Sequence, residues 1–110
     1  MGIFRSTPSK RIINGYEVVT SDSVVVTNTS YTTNGEYAIV VKDVDNCIIN
    51  LDSKTTDHVV IKSLTNVLVK SDSLIDDEFD EVELSRGSCV EFKKIGDFWY
   101  ILSSDGLKNS

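Results

Sequence analysis

Residues that favour helices are nearly missing from this chain: Ala occurs once, at position 38, and Leu only 7 times in 110 residues. Both stand high in the helix-propensity order, so the expected helix content falls well below the usual third or so. No apolar run approaches the roughly 18 residues that a membrane-spanning helix requires, so a helical membrane protein is excluded. With two cysteines the chain is not a disulfide-framework miniprotein. Cys47 and Cys89 sit inside apolar runs without C-x-x-C spacing and read as two buried thiols, although two positions alone do not decide whether they bridge. There is one Pro and no apolar leader near the N-terminus, so no secretory signal is expected and synthesis in a reducing compartment follows. The sequon Asn28-Thr29-Ser30 therefore carries no weight.

Catalytic chemistry is equally thin. His58 is the only histidine, and one His with two separated Cys cannot by themselves make a tetrahedral metal set. Any Ser-His-Asp or Cys-His arrangement would have to use His58, and no G-x-S-x-G elbow, P-loop or G-x-G-x-x-G accompanies it. His58 reads as a strand-edge side chain. The expectation is no catalytic residues, no metal site, no cofactor and no enzyme activity.

What the chain has instead is β-branching. Fourteen Val, 10 Ile and 9 Thr make 33 of 110 residues. Such side chains are stiff at χ1 and suit a pleated surface. Short apolar runs are predicted as strands at Tyr16–Thr20, Ser23–Asn28, Glu36–Lys42, Cys47–Leu51, His58–Lys62, Asn66–Lys70, Glu81–Ser85, Ser88–Lys94 and Phe98–Ser103. Turn chemistry separates them, including Thr33-Asn34-Gly35, Asp43-Val44-Asp45-Asn46, Arg86-Gly87 and Gly96-Asp97. Regularly spaced short strands predict an all-β single sandwich or barrel-like domain of about eight antiparallel strands over residues 16–105. A short N-terminal arm over 1–15 precedes it and a tail over 106–110 follows. No internal repeat is visible, which argues against a solenoid. The runs Val24-Val25-Val26, Val59-Val60-Ile61 and Val67-Leu68-Val69 do not alternate, so both faces of those strands ask for cover, and another subunit is expected to supply it.

Three regions stand out as candidate contact sites. The arm, Met1 to Arg11, holds the only Pro and three cations with no acid, and Ile3, Phe4, Arg5, Lys10 and Arg11 read as partner-binding residues or as part of a frayed end. Its Met1-Gly2 with Ser6 also fits the loose N-myristoylation pattern. The second is acidic: Asp72, Asp76, Asp77, Glu78, Asp80, Glu81 and Glu83 hold seven carboxylates without a cation. The net charge of −6 is therefore a local property, since the remainder carries 10 acids against 11 bases. The segment lacks the glycine and spacing of a calcium loop. Asp76, Asp77, Glu78, Asp80 and Glu81 read as a solvated connection or as a docking surface for a basic neighbour. The third is Phe98-Trp99-Tyr100, either core or an interface or ligand aromatic set.

The segments Tyr37-Ala38-Ile39-Val40-Val41-Lys42-Asp43, Gly87-Ser88-Cys89-Val90-Glu91-Phe92 and Gly96-Asp97-Phe98-Trp99-Tyr100-Ile101-Leu102, in this order, resemble the small β-rich domains of tailed-phage virion proteins over roughly residues 16 to 103. Such domains occur in tail fibres and fibre-carrying baseplate proteins. The resemblance implies a non-enzymatic structural component of a virion, usually trimeric, made in the host cytoplasm, and transfers no catalytic residue. A short basic arm before a single domain adds a capsid decoration or cement role. Other virion proteins and further copies of the chain are the expected partners, with no nucleic acid and no membrane. The alternative is a carbohydrate- or receptor-binding module using Trp99 and Tyr100.

Overall fold

The computed structural model describes residues 11–13, 16–20 and 23–107, with side-chain surroundings from Ser23 to Asp105. These residues are all-β: β1 (Arg11–Ile13), β2 (Tyr16–Thr20), β3 (Ser23–Val26), β4 (Ser30–Thr32), β5 (Ala38–Val41), β6 (Asn46–Leu51), β7 (His58–Ser63), β8 (Asn66–Ile75), β9 (Phe79–Ile95) and β10 (Phe98–Leu107). They form one hydrogen-bonded sheet in the order β1-β2-β3-β5-β7-β9-β10-β8-β6-β4.

The all-β class is as expected, but the architecture is not a sandwich or barrel of antiparallel strands. β3, β5 and β7 are parallel neighbours, and so are β4, β6 and β8. The chain therefore winds, solenoid-like, through three coils, each placing one strand on either side of a shared interior. β9 then runs back antiparallel to both sides. Its first part pairs with β8, as Leu84 does with Val67, and its second with β7, as Phe92 does with Val59. β10 lies antiparallel on β9 and closes that end. Arg86 and Gly87, expected as a turn between two strands, are a kink within β9, where Gly87 has φ 92°. β1 pairs with β2 through Arg11 and Val18, so regular structure begins inside the segment expected to be arm, and β10 continues to Leu107.

The repeat escaped notice because its length varies. Equivalent positions run from Ser23 to Ala38 to Val60, steps of 15 and 22 residues, and from Ser30 to Ile48 to Leu68, steps of 18 and 20. Alternation, which marks a strand with one buried face, is the same whether its neighbour is parallel or antiparallel.

Inward side chains stack in ladders across the coils. Val24, Ile39, Ile61 and Val90 occupy one, and Cys47, Val67 and Leu84 another; all are buried. The Val-rich runs do alternate in burial. Val24 and Val26 point inward while Val25 is half-buried, and Val60 and Leu68 behave likewise, so the described chain alone covers much of both faces. One ladder changes chemistry, from Val26 and Val41 to Ser63 beside Ser88, both serines buried. The reason lies in the β9 kink. Ser63 Oγ is 2.9 Å from the Ser85 carbonyl oxygen and 3.3 Å from that of Ser88, so its hydroxyl supplies a donor to carbonyls on either side of Gly87.

The coil corners are stacked by hydrogen bonds as well. On one side Lys42 N–H donates to the Val26 carbonyl and Leu64 N–H to that of Val41. On the other, Asp52 N–H donates to Thr33 Oγ1 at 2.8 Å, Gly35 N–H to Thr56 Oγ1 at 2.8 Å and Thr55 Oγ1 to the Thr33 carbonyl at 2.9 Å. Glu36, buried at the same corner, accepts from Asn34 N–H at 2.6 Å and from the Tyr31 hydroxyl. A buried carboxylate is tolerated there because both oxygens are bonded.

Candidate functional site

The three sequence regions meet different fates. Of the arm residues, Ile3, Phe4, Arg5 and Lys10 lie outside the described residues, and Arg11 contributes its backbone to β1. The acidic residues fall at the closed end. Asp76 and Asp77 are the two central residues of the turn between β8 and β9, with φ 55° and 59°, closed by Glu78 N–H to the Ile75 carbonyl at 3.1 Å. Left-handed conformation at both central positions is the pattern of a type I′ hairpin, and Asp is among the few residues with a side chain that accept it. The turn is tied to β10 twice: Asp76 N–H donates to the Trp99 carbonyl at 2.9 Å, and Asp76 Oδ1 accepts from Ile101 N–H at 3.0 Å. Asp80 and Glu81 project from β9 instead, with Glu81 opposite Lys70. The acidic segment is thus a structural turn followed by a strand, all of it exposed at the five expected contact residues.

Trp99 is fully buried, which agrees with the core reading of this segment and not with the interface or ligand reading. Register explains the burial: β10 is wedged between β9 and β8 where Trp99 opposes both Lys94 and Ile75, which turns the indole into the end of the interior. Phe98 and Tyr100 then face outward. The Tyr100 hydroxyl lies 3.4 Å from Asp77 Oδ1, and partial desolvation, followed by the Asp77 charge, raises its pKa above the ordinary value.

Beside the acidic turn lies an apolar patch that sequence reasoning missed. Phe98 stands directly opposite Ile95 across the Gly96-Asp97 turn, and Leu74 precedes the Ile75 that pairs with Trp99, so the registers set Leu74, Phe98 and Ile95 in one outward row. Exposure is 41% at Leu74, 42% at Phe98, 55% at Ile95 and 54% at Leu102 further along β10. The only hint in the sequence is the position of Ile95 and Phe98 on either side of a tight Gly-Asp turn, where no further strand can cover them.

His58, expected to be a strand-edge side chain, is half-buried and bonded. Its Nε2 lies 2.5 Å from Glu91 Oε2, and its ring meets the edge of Tyr37 at a centroid distance of 5.2 Å. Ser103 Oγ donates to the other oxygen of Glu91 at 3.0 Å. The His58 and Ser103 hydrogen bonds, in that order, hold the Glu91 carboxyl below its ordinary range. Ser, Glu and His are neighbours here, yet the order is wrong for nucleophilic catalysis. In the Ser-His-Asp arrangement the imidazole stands between hydroxyl and carboxylate, whereas here the carboxylate stands between the other two and Ser103 has no imidazole beside it.

Among the described residues no group of three or more His, Cys, Asp or Glu side chains is placed to hold a metal ion. Cys47 and Cys89 are both free thiols, and burial raises the pKa of Cys47, which marks it as an inert core residue. Among the described residues a depression of about 650 Å³ lies along the corner column between Lys42, Asp45, Thr65 and Arg86. No family model matches the chain, and no curated protein matches it either.

Proposed function

We propose that the chain is a non-enzymatic structural protein of a virus particle that acts by protein–protein assembly, as a tail-fibre or baseplate component or a capsid decoration protein. The observation that carries the reading is the exposed apolar row Leu74–Phe98–Ile95 set beside the Asp76–Glu78 turn, at the end of a hydrogen-bonded stack. Contiguous apolar surface rimmed by charge is characteristic of interaction sites. The sequence resemblance to virion domains supplies the setting, and a trimer is the assembly it favours. The rival reading, a sugar or receptor site on Trp99 and Tyr100, loses its main aromatic to the interior.

Two measurements test this. Density-gradient purification of particles from infected cells should carry the protein with the particle band through high salt; its complete absence from particles overturns the virion role. Light scattering on the purified chain should give a mass three times that of the 12.2 kDa chain, and a strict monomer overturns the trimer.

A further inference from the structure

We infer that the segment Met1–Lys10 of one copy docks onto the capping end of a neighbouring copy, with Ile3 and Phe4 on the Leu74–Phe98–Ile95 row and Arg5 and Lys10 against the carboxylates around it. The inference deepens the assembly reading above and rests on it.

Three observations select this occupant. The first is charge: Met1 to Arg11 carries Arg5, Lys10 and Arg11 without an acid, while Asp76, Asp77, Glu78 and Asp97 are all exposed in the two turns that flank the row. Outside the acidic segment the chain is close to neutral, so this end is where a basic segment finds a field. The second is apolar pattern. Ile3 and Phe4 are adjacent to the cation Arg5, as the exposed Phe98 is adjacent in sequence to Asp97 and Ile95 lies across the same turn.

The third is reach. β1, where the arm joins the sheet, and β10 are separated by six strand-to-strand steps, β1-β2-β3-β5-β7-β9-β10. At roughly 4.8 Å per step the path along the sheet between them is about 29 Å. From Phe4 to Arg11 a fully extended chain spans about 25 Å at most. Bringing Phe4 to Phe98 within its own chain would need the arm stretched almost fully along the sheet, so docking on a second copy, which needs no such extension, is the contact this length favours. Such a contact joins two different surfaces, so it propagates from copy to copy and closes as a ring in a trimer.

The test uses full-length chains. Sedimentation of the wild type over a range of concentrations should show self-association that weakens with added salt, because the flanking charges are exposed. Phe4→Asp removes the arm contact and Phe98→Asp the receiving surface. Each variant alone should associate at least tenfold more weakly, and an equimolar mixture should recover a 1:1 complex, since each retains the half that the other lost. Circular dichroism checks that both are folded. Should Phe98→Asp fail to fold, Glu78→Lys with Asp97→Lys, both at exposed turn positions, replaces it and should be rescued by mixing with Arg5→Glu, Lys10→Glu chains. A wild type that stays monomeric, variants that assemble like the wild type, or mixtures that show no complementation would each overturn the arm contact. Assembly that persists in every variant leaves the assembly reading standing, whereas absence from particles defeats that reading whatever the variants do.

Discussion

The parallel coils, β3 to β8, and the antiparallel cap, β9 with β10, solve the same burial problem differently. In the coils, each inward residue is covered by an equivalent one in the next coil, as in the Val24–Ile39–Ile61 ladder, and the corners are fixed by side-chain hydroxyls and carboxylates such as Thr33, Thr56 and Glu36. The cap has no successor to cover it. It reverses direction, places the two largest buried side chains, Phe92 and Trp99, over the end of the interior and turns through positive φ at Asp76, Asp77, Gly87 and Gly96. The lesson is that a stack can be ended without being wrapped: the last layer buries its inner face and leaves Ile95, Phe98 and Leu102 outside.

Truncating one buried side chain in each region is the strongest way to break this comparison. Trp99→Ala in the cap should cost about 3–5 kcal/mol and Ile61→Ala in the coils about 2–5 kcal/mol, by lost transfer energy and residual cavity. Urea unfolding followed by circular dichroism reads both. If cap and coils are one cooperative unit, each variant keeps a single transition at lower midpoint; a second transition confined to Trp99→Ala would show that the cap opens separately.

The corners come next. Glu36→Ala strands the Tyr31 hydroxyl and the Asn34 N–H and should cost about 1–3 kcal/mol, while Glu36→Gln, which keeps an acceptor, should lose less in the same urea titration. In the cap, Gly87→Ala places a Cβ at φ 92°, where nothing lies within 4 Å to clash. Its cost should therefore be the conformational part alone, about 1–2 kcal/mol. A neutral result at Gly87 would mean that the kink relaxes.

Electrostatic contacts between the two regions include Lys93 of β9 with Asp57, at 3.7 Å, and His58 of β7 with Glu91 of β9, at 2.5 Å. The folded Glu91 carboxyl titrates below its unfolded value. Its contribution to stability is thus present above the ordinary Glu range near pH 4.3 and is lost as the pH falls through the depressed folded value. Glu91→Gln should lower the melting temperature at neutral pH, with the gap from wild type closing in strong acid; a constant gap would assign the effect to packing. The smallest change expected is a gain: Asp77→Gly, at φ 59°, should raise stability by at most about 1 kcal/mol, reduced by the loss of the long Tyr100 contact.

Most strand positions were legible in the sequence, because β-branched runs between polar turns have one local interpretation. β1 and β4 were not, since three residues such as Ser30-Tyr31-Thr32 carry no apolar period. The candidate site was half legible. The acidic residues drew attention by number, yet the role of Asp76 depends on Trp99 and Ile101, more than twenty residues away. The exposed row drew none, because Ile95 and Phe98 look like any strand ends until the missing outer neighbour is known.

Composition and alternation alone determined the all-β class, the absence of a recognisable catalytic motif and the concentration of negative charge in one segment, all being sums or short-range periods along the chain. Only the tertiary structure decided that the strands stack in parallel coils, that Trp99 faces inward and Phe98 outward, and that the acidic turn adjoins an apolar row. Those outcomes depend on which strand lies beside which. A period of two residues encodes which side chains share a face and holds no information on the direction or identity of the neighbour.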